Sequence, residues 1–356
     1  MNRNVMVCFG TRPEVIKVAS FIEELSKGDF PFKTVFAGQH DELFADVKQL
    51  IPPPDFRLDI MEPGQSPSDI LERVTSKFVP VLRRERPDLV VVQGDTSTAL
   101  AIALVSFYEK VMVGHIEAGL RTWNLDSPFP EELNRQVISR VASVHWAPTK
   151  KAVQNLEAEG VENIVLTGNT VIDVCRKFKY PIHYGSKILV TLHRRENHGE
   201  KMASMFAQIE RLAERHNDLV FLFPMHPNPK VQEHRSVLKK VEVIHPLKYD
   251  DLLKLLSEVR FVITDSGGLQ EECAVFKKKV LVCRDVSERP EGVEVGLSKV
   301  VGTSIEENFE WANSNPVWNG RNPYGDGRAA ERIVSSIESG WTESRDSSRT
   351  FAGNVP

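Results

Sequence analysis

The chain has 356 residues, 41% of them apolar and 26% charged, with 45 Lys and Arg against 49 Asp and Glu for a formal net charge of −4. A length of this order predicts two domains, each large enough for its own core. The charge balance speaks against a nucleic-acid binder, which carries a basic excess, and no apolar run approaches the ~18–20 residues that span a bilayer. The sequence passes from Met1-Asn2-Arg3-Asn4 into a strand-like run without a secretory core, so the expected location is the cytoplasm. Cys8, Cys175, Cys273 and Cys283 form no CxxC pair and sit among apolar neighbours, which reads as buried free thiols rather than disulfides or a zinc site.

Short β-branched runs alternate with helix-length amphipathic stretches. In chain order the pattern predicts strand 5–9, helix 13–25, strand 33–37, helix 41–50, helix 67–84 and strand 88–93. Helix 97–109, strand 111–116, helix 131–142, strand 143–147, helix 149–159 and strand 163–166 follow. Near-continuous apolar strands such as Leu89-Val90-Val91-Val92-Gln93, separated by helices, read as a parallel sheet covered on both faces. The pattern weakens over 167–186, where Pro181 and Gly185 suit a hinge, and resumes with strands 187–192, 220–224, 241–244, 261–264 and 279–282. The expected fold is α/β: doubly wound parallel-sheet domains over 1–175 and 186–324, a closing helix over 325–339 and a polar tail over 340–356. Ligands of open α/β sheets bind beyond the C-terminal ends of the strands, so the cleft between the domains is the expected site.

The distinctive polar residues fall within a few positions of those strand ends. The first strand delivers Gly10-Thr11-Arg12-Pro13, with Pro13 suited to a first helical position and Arg12 and Lys17 beside a helix N-terminus able to hold an anion. The strand ending at Gln93 delivers Gly94-Asp95-Thr96, the next delivers His115 and Glu117, and Glu131 and Glu132 open a helix. In the second half, strand ends deliver His193-Arg194-Arg195-Glu196, then His226, then Asp265-Ser266-Gly267-Gly268. Taken singly, Asp95 or Glu131 reads first as an N-cap or first-turn carboxylate. The convergence of three carboxylates on one domain with a cationic, glycine-rich surface on the other favours a functional site. Gly325-Asp326-Gly327-Arg328-Ala329-Ala330 matches a dinucleotide-binding spacing but follows no buried strand, and no zinc or ATPase motif is present. No cofactor and no metal are expected.

GTRPE, QGDTST, HIEAGLRT, PEELNR, TGNTVID, HRREN, TDSGGLQEE, ERPEG and NPYGDG occur in that order. Together they resemble the non-hydrolysing UDP-N-acetylglucosamine 2-epimerases. The resemblance implies two Rossmann-like domains of the glycosyltransferase-B type, a homodimer, no cofactor, and reversible interconversion of UDP-GlcNAc and UDP-ManNAc through elimination of UDP to 2-acetamidoglucal and re-addition. Alternatives are the same chemistry on a related UDP-2-acetamido sugar, such as a 2,3-diacetamido uronic acid, or a glycosyltransferase-B-type transferase or sugar-nucleotide binder. Hydrolysis to free ManNAc is a further alternative.

By motif position the resemblance implies catalytic roles for Asp95, Glu117, Glu131 and His193. It implies nucleotide-sugar contacts from Arg12, Lys17, Arg195, His226 and Arg289, a diphosphate turn at Ser266, Gly267 and Gly268, and a ribose ligand in Glu272. Leu247 and Leu252 stand in the uracil-holding segment, where relatives often carry Gln and Phe, so backbone contacts are expected there without aromatic stacking. Bacterial relatives bind a second UDP-GlcNAc as activator through a segment that here reads Gln39-His40-Asp41-Glu42-Leu43. Its acidity speaks against such activation, with Arg73 and His226 as the remaining candidate contacts.

Overall fold

The computed structural model describes residues 4–343 except 29, 39–46, 61 and 63. The first sheet contains β1 (Val5–Phe9), β2 (Phe32–Phe36), β3 (Phe56–Arg57), β4 (Leu89–Gln93), β5 (Met112–Ile116), β6 (Val144–Ala147) and β7 (Ile164–Leu166). Its strand order is β3-β2-β1-β4-β5-β6-β7. The second contains β8 (Lys187–Thr191), β9 (Val220–Pro224), β10 (Glu242–Ile244), β11 (Phe261–Thr264), β12 (Val280–Val282) and β13 (Ser298–Val300), in the order β10-β9-β8-β11-β12-β13. Neighbouring strands pair parallel throughout, as in Val5 opposite Leu89 and Phe261 opposite Ile188. Every residue of β1 and β4 is buried, which explains their unbroken apolar character: helices cover both faces, so no side of the strand meets water.

On one face of the first sheet, the helix Arg12–Leu25 buries Val15, Val18, Phe21, Ile22 and Leu25. On the other, Val74, Phe78 and Leu82 of the helix Pro67–Glu85 join Ile102 and Val105 of the helix Ser97–Tyr108. The apolar cluster under the first helix continues through Val171 and Cys175 to Leu253, Leu269 and Ala274 beneath the second sheet. The two sheets therefore share a core. The last helix, Ala329–Glu343, belongs to it through Ile333 and Ile337, and Trp146 Nε1 donates to Ser336 Oγ at 2.7 Å. All four cysteines are buried and unpaired, and among the described residues no helix is long and apolar enough to cross a membrane.

The strand order reverses between β1 and β4 and again between β8 and β11, and a crevice opens beyond the strand ends at such points. The loops of both switch points carry the motif residues. Two local expectations are corrected. The edge strands β3 and β13 have two and three residues, too few for a periodic signal. Most of the helix expected over 41–50 lies outside the described residues, and its end, Lys48–Leu50, is a 3-10 turn. The closing helix begins at Ala329 rather than 325, because Gly325 and Gly327 take φ of +137° and +79°. Asp173 then accepts from the Ala329 and Ala330 N–H groups at 3.1 and 2.8 Å, so the protein's own carboxylate occupies the helix start that resembled a dinucleotide site.

Candidate active site

On the first domain, the chain leaves β1 through Gly10 and Thr11 into a proline-initiated helix. Glu14 accepts from the Gly10 and Thr11 N–H groups at 3.0 and 2.6 Å and from the Thr96 hydroxyl at 2.9 Å, fastening the β1 loop to the β4 loop. Burial raises its carboxyl pKa against those hydrogen bonds. Gly94, at φ +72°, turns the chain out of β4 and presents Asp95. Arg135, from the helix Glu131–Val141, grips one oxygen of the Asp95 carboxylate, Oδ2, with Nε at 2.8 Å and a terminal nitrogen at 2.6 Å. Burial alone would raise the Asp95 pKa, but the guanidinium outweighs it and holds the group below its ordinary value.

Behind Asp95, His115 is fully buried on β5, and its Nε2–H donates to the Gly94 carbonyl at 2.7 Å. A carbonyl only accepts, so this nitrogen carries the proton. Burial pushes the imidazole pKa down to about 3, which keeps the ring neutral. Glu117 follows β5 at φ +67°, a left-handed conformation that a non-glycine residue rarely adopts. Its carboxylate pairs with Lys17 and accepts from Asn169 Nδ2 at 2.9 Å. Glu131 opens its helix, with one buried carboxylate oxygen that has no hydrogen-bond partner among the described residues.

On the second domain, Asp265 follows β11 and accepts from the His193 N–H at 3.0 Å, the Arg194 N–H at 2.9 Å and Asn197 Nδ2 at 3.0 Å. The His193 ring lies 3.6 Å from that carboxylate and stacks on His226, with centroids 5.8 Å apart. Burial lowers the His193 pKa, with Asp265 opposing the shift. Ser266 stands at the N-cap position of the helix Gly267–Val275 without a side-chain capping bond, and its own N–H donates to Thr264 Oγ1 at 2.9 Å. The glycine pair divides. A Cβ on Gly268 would meet nothing within 4 Å, whereas one on Gly267 would lie 2.4 Å from an Arg289 nitrogen and 2.9 Å from a Glu288 oxygen. Gly267 thus makes room for the arginine, and Gly268 is the one that borders open space. Glu272, one turn on, is pushed up to about 7 by burial.

Across the interface the charges interlock. Arg12 donates to the Leu247 carbonyl at 3.2 Å, so the backbone, not the leucine side chain, makes that contact. Lys17 lies 3.5 Å from Glu271, Arg135 3.8 Å from Glu288, and Arg289 3.8 Å from Glu117. Arg289 Nε also donates to Glu271 at 2.8 Å, and Arg284 holds Glu288 at 2.6 Å. Despite burial, the three guanidiniums Arg289, Arg284 and Arg135 hold the Glu288 carboxyl far below the ordinary carboxylate range. Asp95, Arg135, Glu288, Arg289 and Glu117 thereby form one chain of opposite charges spanning both domains.

Some motif residues stand outside this network. The Arg195 side chain is exposed, and His226 is exposed with Nδ1 accepting from the Asn228 N–H at 3.1 Å. Leu252 packs half-buried against the shared core. Arg73 is ion-paired with Glu62, and Gln39-His40-Asp41-Glu42-Leu43 lies outside the described residues. Conversely, Arg135, Asn169, Glu271 and Glu288 are central in the structure but absent from the residues singled out by sequence. Each lies inside a motif already visible there: PEELNR, TGNTVID, TDSGGLQEE and ERPEG.

Two parallel Rossmann-like sheets with their switch points turned to a common charged interface define the glycosyltransferase-B class of fold. A spinosyn rhamnosyltransferase shares it at a TM-score of 0.56 and 13% identity, over 95% of each chain. The chain belongs to the UDP-N-acetylglucosamine 2-epimerase family, an isomerase family whose model matches residues 23–338. It is 40% identical to a UDP-N-acetylglucosamine 2-epimerase of Bacillus subtilis over 361 residues, 94% of each protein. The UDP-GlcNAc 2-epimerase of Neisseria meningitidis, solved bound to UDP-GlcNAc, superimposes with a TM-score of 0.89 at 38% identity, over 94% of this chain and 100% of that one.

Proposed function

We propose that the protein interconverts UDP-GlcNAc and UDP-ManNAc by elimination and re-addition of UDP. The C2 proton of the sugar has no neighbouring carbonyl to acidify it, so removal must be coupled to departure of a leaving group. A carboxylate takes the C2 proton, the C–H electron pair becomes the C1–C2 double bond, and the C1–O bond breaks with its electrons leaving on UDP. The intermediate is 2-acetamidoglucal. Re-addition reverses the electron flow, with the proton delivered to the opposite face of C2 and the diphosphate oxygen returning to C1.

Such a path asks for proton carriers on both faces of C2 and for positive potential at the departing diphosphate. Asp95, Glu117 and Glu131 are the proposed carriers, with His193 on the opposite domain. Arg12, Arg289 and the Gly268 end of the helix Gly267–Val275 supply the positive potential. The observation that carries the reading is the Asp95–Arg135–Glu288–Arg289–Glu117 chain, which ties two of these carboxylates to the cationic rim of the other domain. The relative solved with UDP-GlcNAc supports the choice of sugar nucleotide. A proton NMR time course of UDP-GlcNAc with the purified protein tests it. The expected result is growth of UDP-ManNAc to the same mixture that is reached from UDP-ManNAc. An unchanged spectrum, or release of free sugar alone, contradicts it.

A further inference from the structure

Asn169 sits in the TGNTVID motif at the junction between β7 and the second domain, and only 2% of it is exposed. Its Nδ2 donates to Glu117 of the first domain at 2.9 Å and to Glu271 of the second at 2.9 Å. Its Oδ1 accepts from the Val171 N–H at 3.1 Å and caps the helix Thr170–Cys175. Carboxylates only accept and an N–H only donates, so the amide has a single workable orientation. The backbone is held as well, with the Asn169 N–H donating to the Tyr324 carbonyl at 2.7 Å.

We propose that Asn169 is a positioning residue that clamps the Glu117 carboxylate to Glu271 across the domain interface. The inference rests on the reading that Glu117 carries a proton during epimerisation. Two carboxylates brought together repel, and both charge and a fixed donor hold them here. Lys17 and Arg289 supply the charge, Lys17 reaching both carboxylates and Arg289 pairing with Glu288 as well. Asn169 adds no charge and is fixed through its own cap, so it sets direction rather than potential. Each of its two amide hydrogens serves a different domain, which makes the aim of Glu117 depend on the domains being together.

The test exploits the double use of the side chain. Asn169→Asp keeps the oxygen that caps Val171, since Asp caps helices as well as Asn, but exchanges the donor for a third carboxylate. The groups facing this cluster are Lys17 from the first helix, Cys175 from the helix Thr170–Cys175, Arg289 with its partner Glu288 from the ERPEG segment, Tyr324 from the NPYGDG loop, and Glu272 beside Glu271. The expected result is a folded variant whose melting temperature drops, since a buried third carboxylate forfeits both donor hydrogen bonds, with a kcat lower by on the order of 10²-fold and a KM for UDP-GlcNAc within about threefold. The acidic limb of the kcat–pH profile should move up by about one unit, because a cluster with an added negative charge and one donor fewer takes up a proton more readily.

Should that variant melt below the assay temperature, Asn169→Ser, neutral and still a capping residue, carries the same kcat expectation. A kcat within twofold of the parent in a folded variant overturns the proposal. So does a loss that tracks the unfolded fraction while the acidic limb stays in place. If the parent itself fails to turn over UDP-GlcNAc, the proposed function has failed, whereas an active parent with an unaffected variant removes only the role of Asn169.

Discussion

Asp95 and Asp265 occupy equivalent places in the two halves of the molecule. Each stands just beyond the C-terminal end of the strand flanking its sheet's switch point, β4 in one case and β11 in the other. Their partners differ. Asp265 is fully buried and accepts from two backbone N–H groups and an amide, so its oxygens are committed to shaping the loop that presents His193. Asp95 is held by a guanidinium that also reaches Glu132 and Glu288, and its side chain keeps 24% exposure. A carboxylate saturated by local N–H donors is part of the scaffold. One balanced by a guanidinium shared across the interface, and partly exposed, is the better candidate to meet a ligand. Position at a strand end therefore does not separate the two roles, whereas the chemistry of the partners does.

The widest expected separation lies in turnover. Asp95→Asn, Glu117→Gln and Glu131→Gln keep approximate shape but cannot accept and return a proton, and kcat should fall by roughly 10²–10⁴-fold with UDP affinity little changed. Asp265→Asn should act on the fold first. With its oxygen kept at the Oδ2 position, which accepts from Arg194 and Asn197, its amide would set an N–H against the His193 N–H, costing about 1–3 kcal/mol and lowering the melting temperature. Calorimetric melting and steady-state rates on all four variants check the contrast. It breaks if Asp95→Asn melts as early as Asp265→Asn while turning over normally.

A smaller effect compares the two domains in their response to pH. His115 in the first domain is depressed to about 3, so the unfolded chain binds more protons below its ordinary pKa of 6.5. Its contribution is present above 6.5 and is lost as pH falls toward 3. Glu272 in the second domain is raised to about 7 from 4.5, so the folded chain binds more protons in that window and stability falls as pH rises through it. Between 4.5 and 6.5 the two slopes oppose each other, each at about 1.4 kcal/mol per pH unit. Urea unfolding of the ligand-free protein at pH 5 and 6.5 should therefore show little net change from this pair. His115→Gln should leave a protein relatively more stable at pH 5, and Glu272→Gln one relatively more stable at pH 6.5. Identical pH responses in both variants would show that neither group titrates as described.

The architecture was legible because burial on both faces writes itself into strands such as Leu89-Val90-Val91-Val92-Gln93, and because the polar residues cluster at their ends. The edge strands were not, since two or three residues at a sheet margin carry no period. The site was legible as a set of motifs but not as a set of pairs. Arg135 and Asp95 are 40 residues apart, and Asn169 and Glu271 102, so which cation or amide meets which carboxylate is decided by tertiary packing alone. The two glycines of Ser266-Gly267-Gly268 look interchangeable in sequence. Only the position of Arg289 shows that the first accommodates a side chain and the second borders open space.

In the proposed reaction C2 is inverted by removing its proton as UDP departs. Turnover of UDP-GlcNAc in heavy water, followed by proton NMR and mass spectrometry, tests this. UDP-ManNAc carrying deuterium at C2 is expected, with the label also entering recovered UDP-GlcNAc as the reaction reverses. Product formed with its C2 hydrogen fully retained would contradict proton exchange at that carbon and, with it, the roles given to Asp95, Glu117 and Glu131.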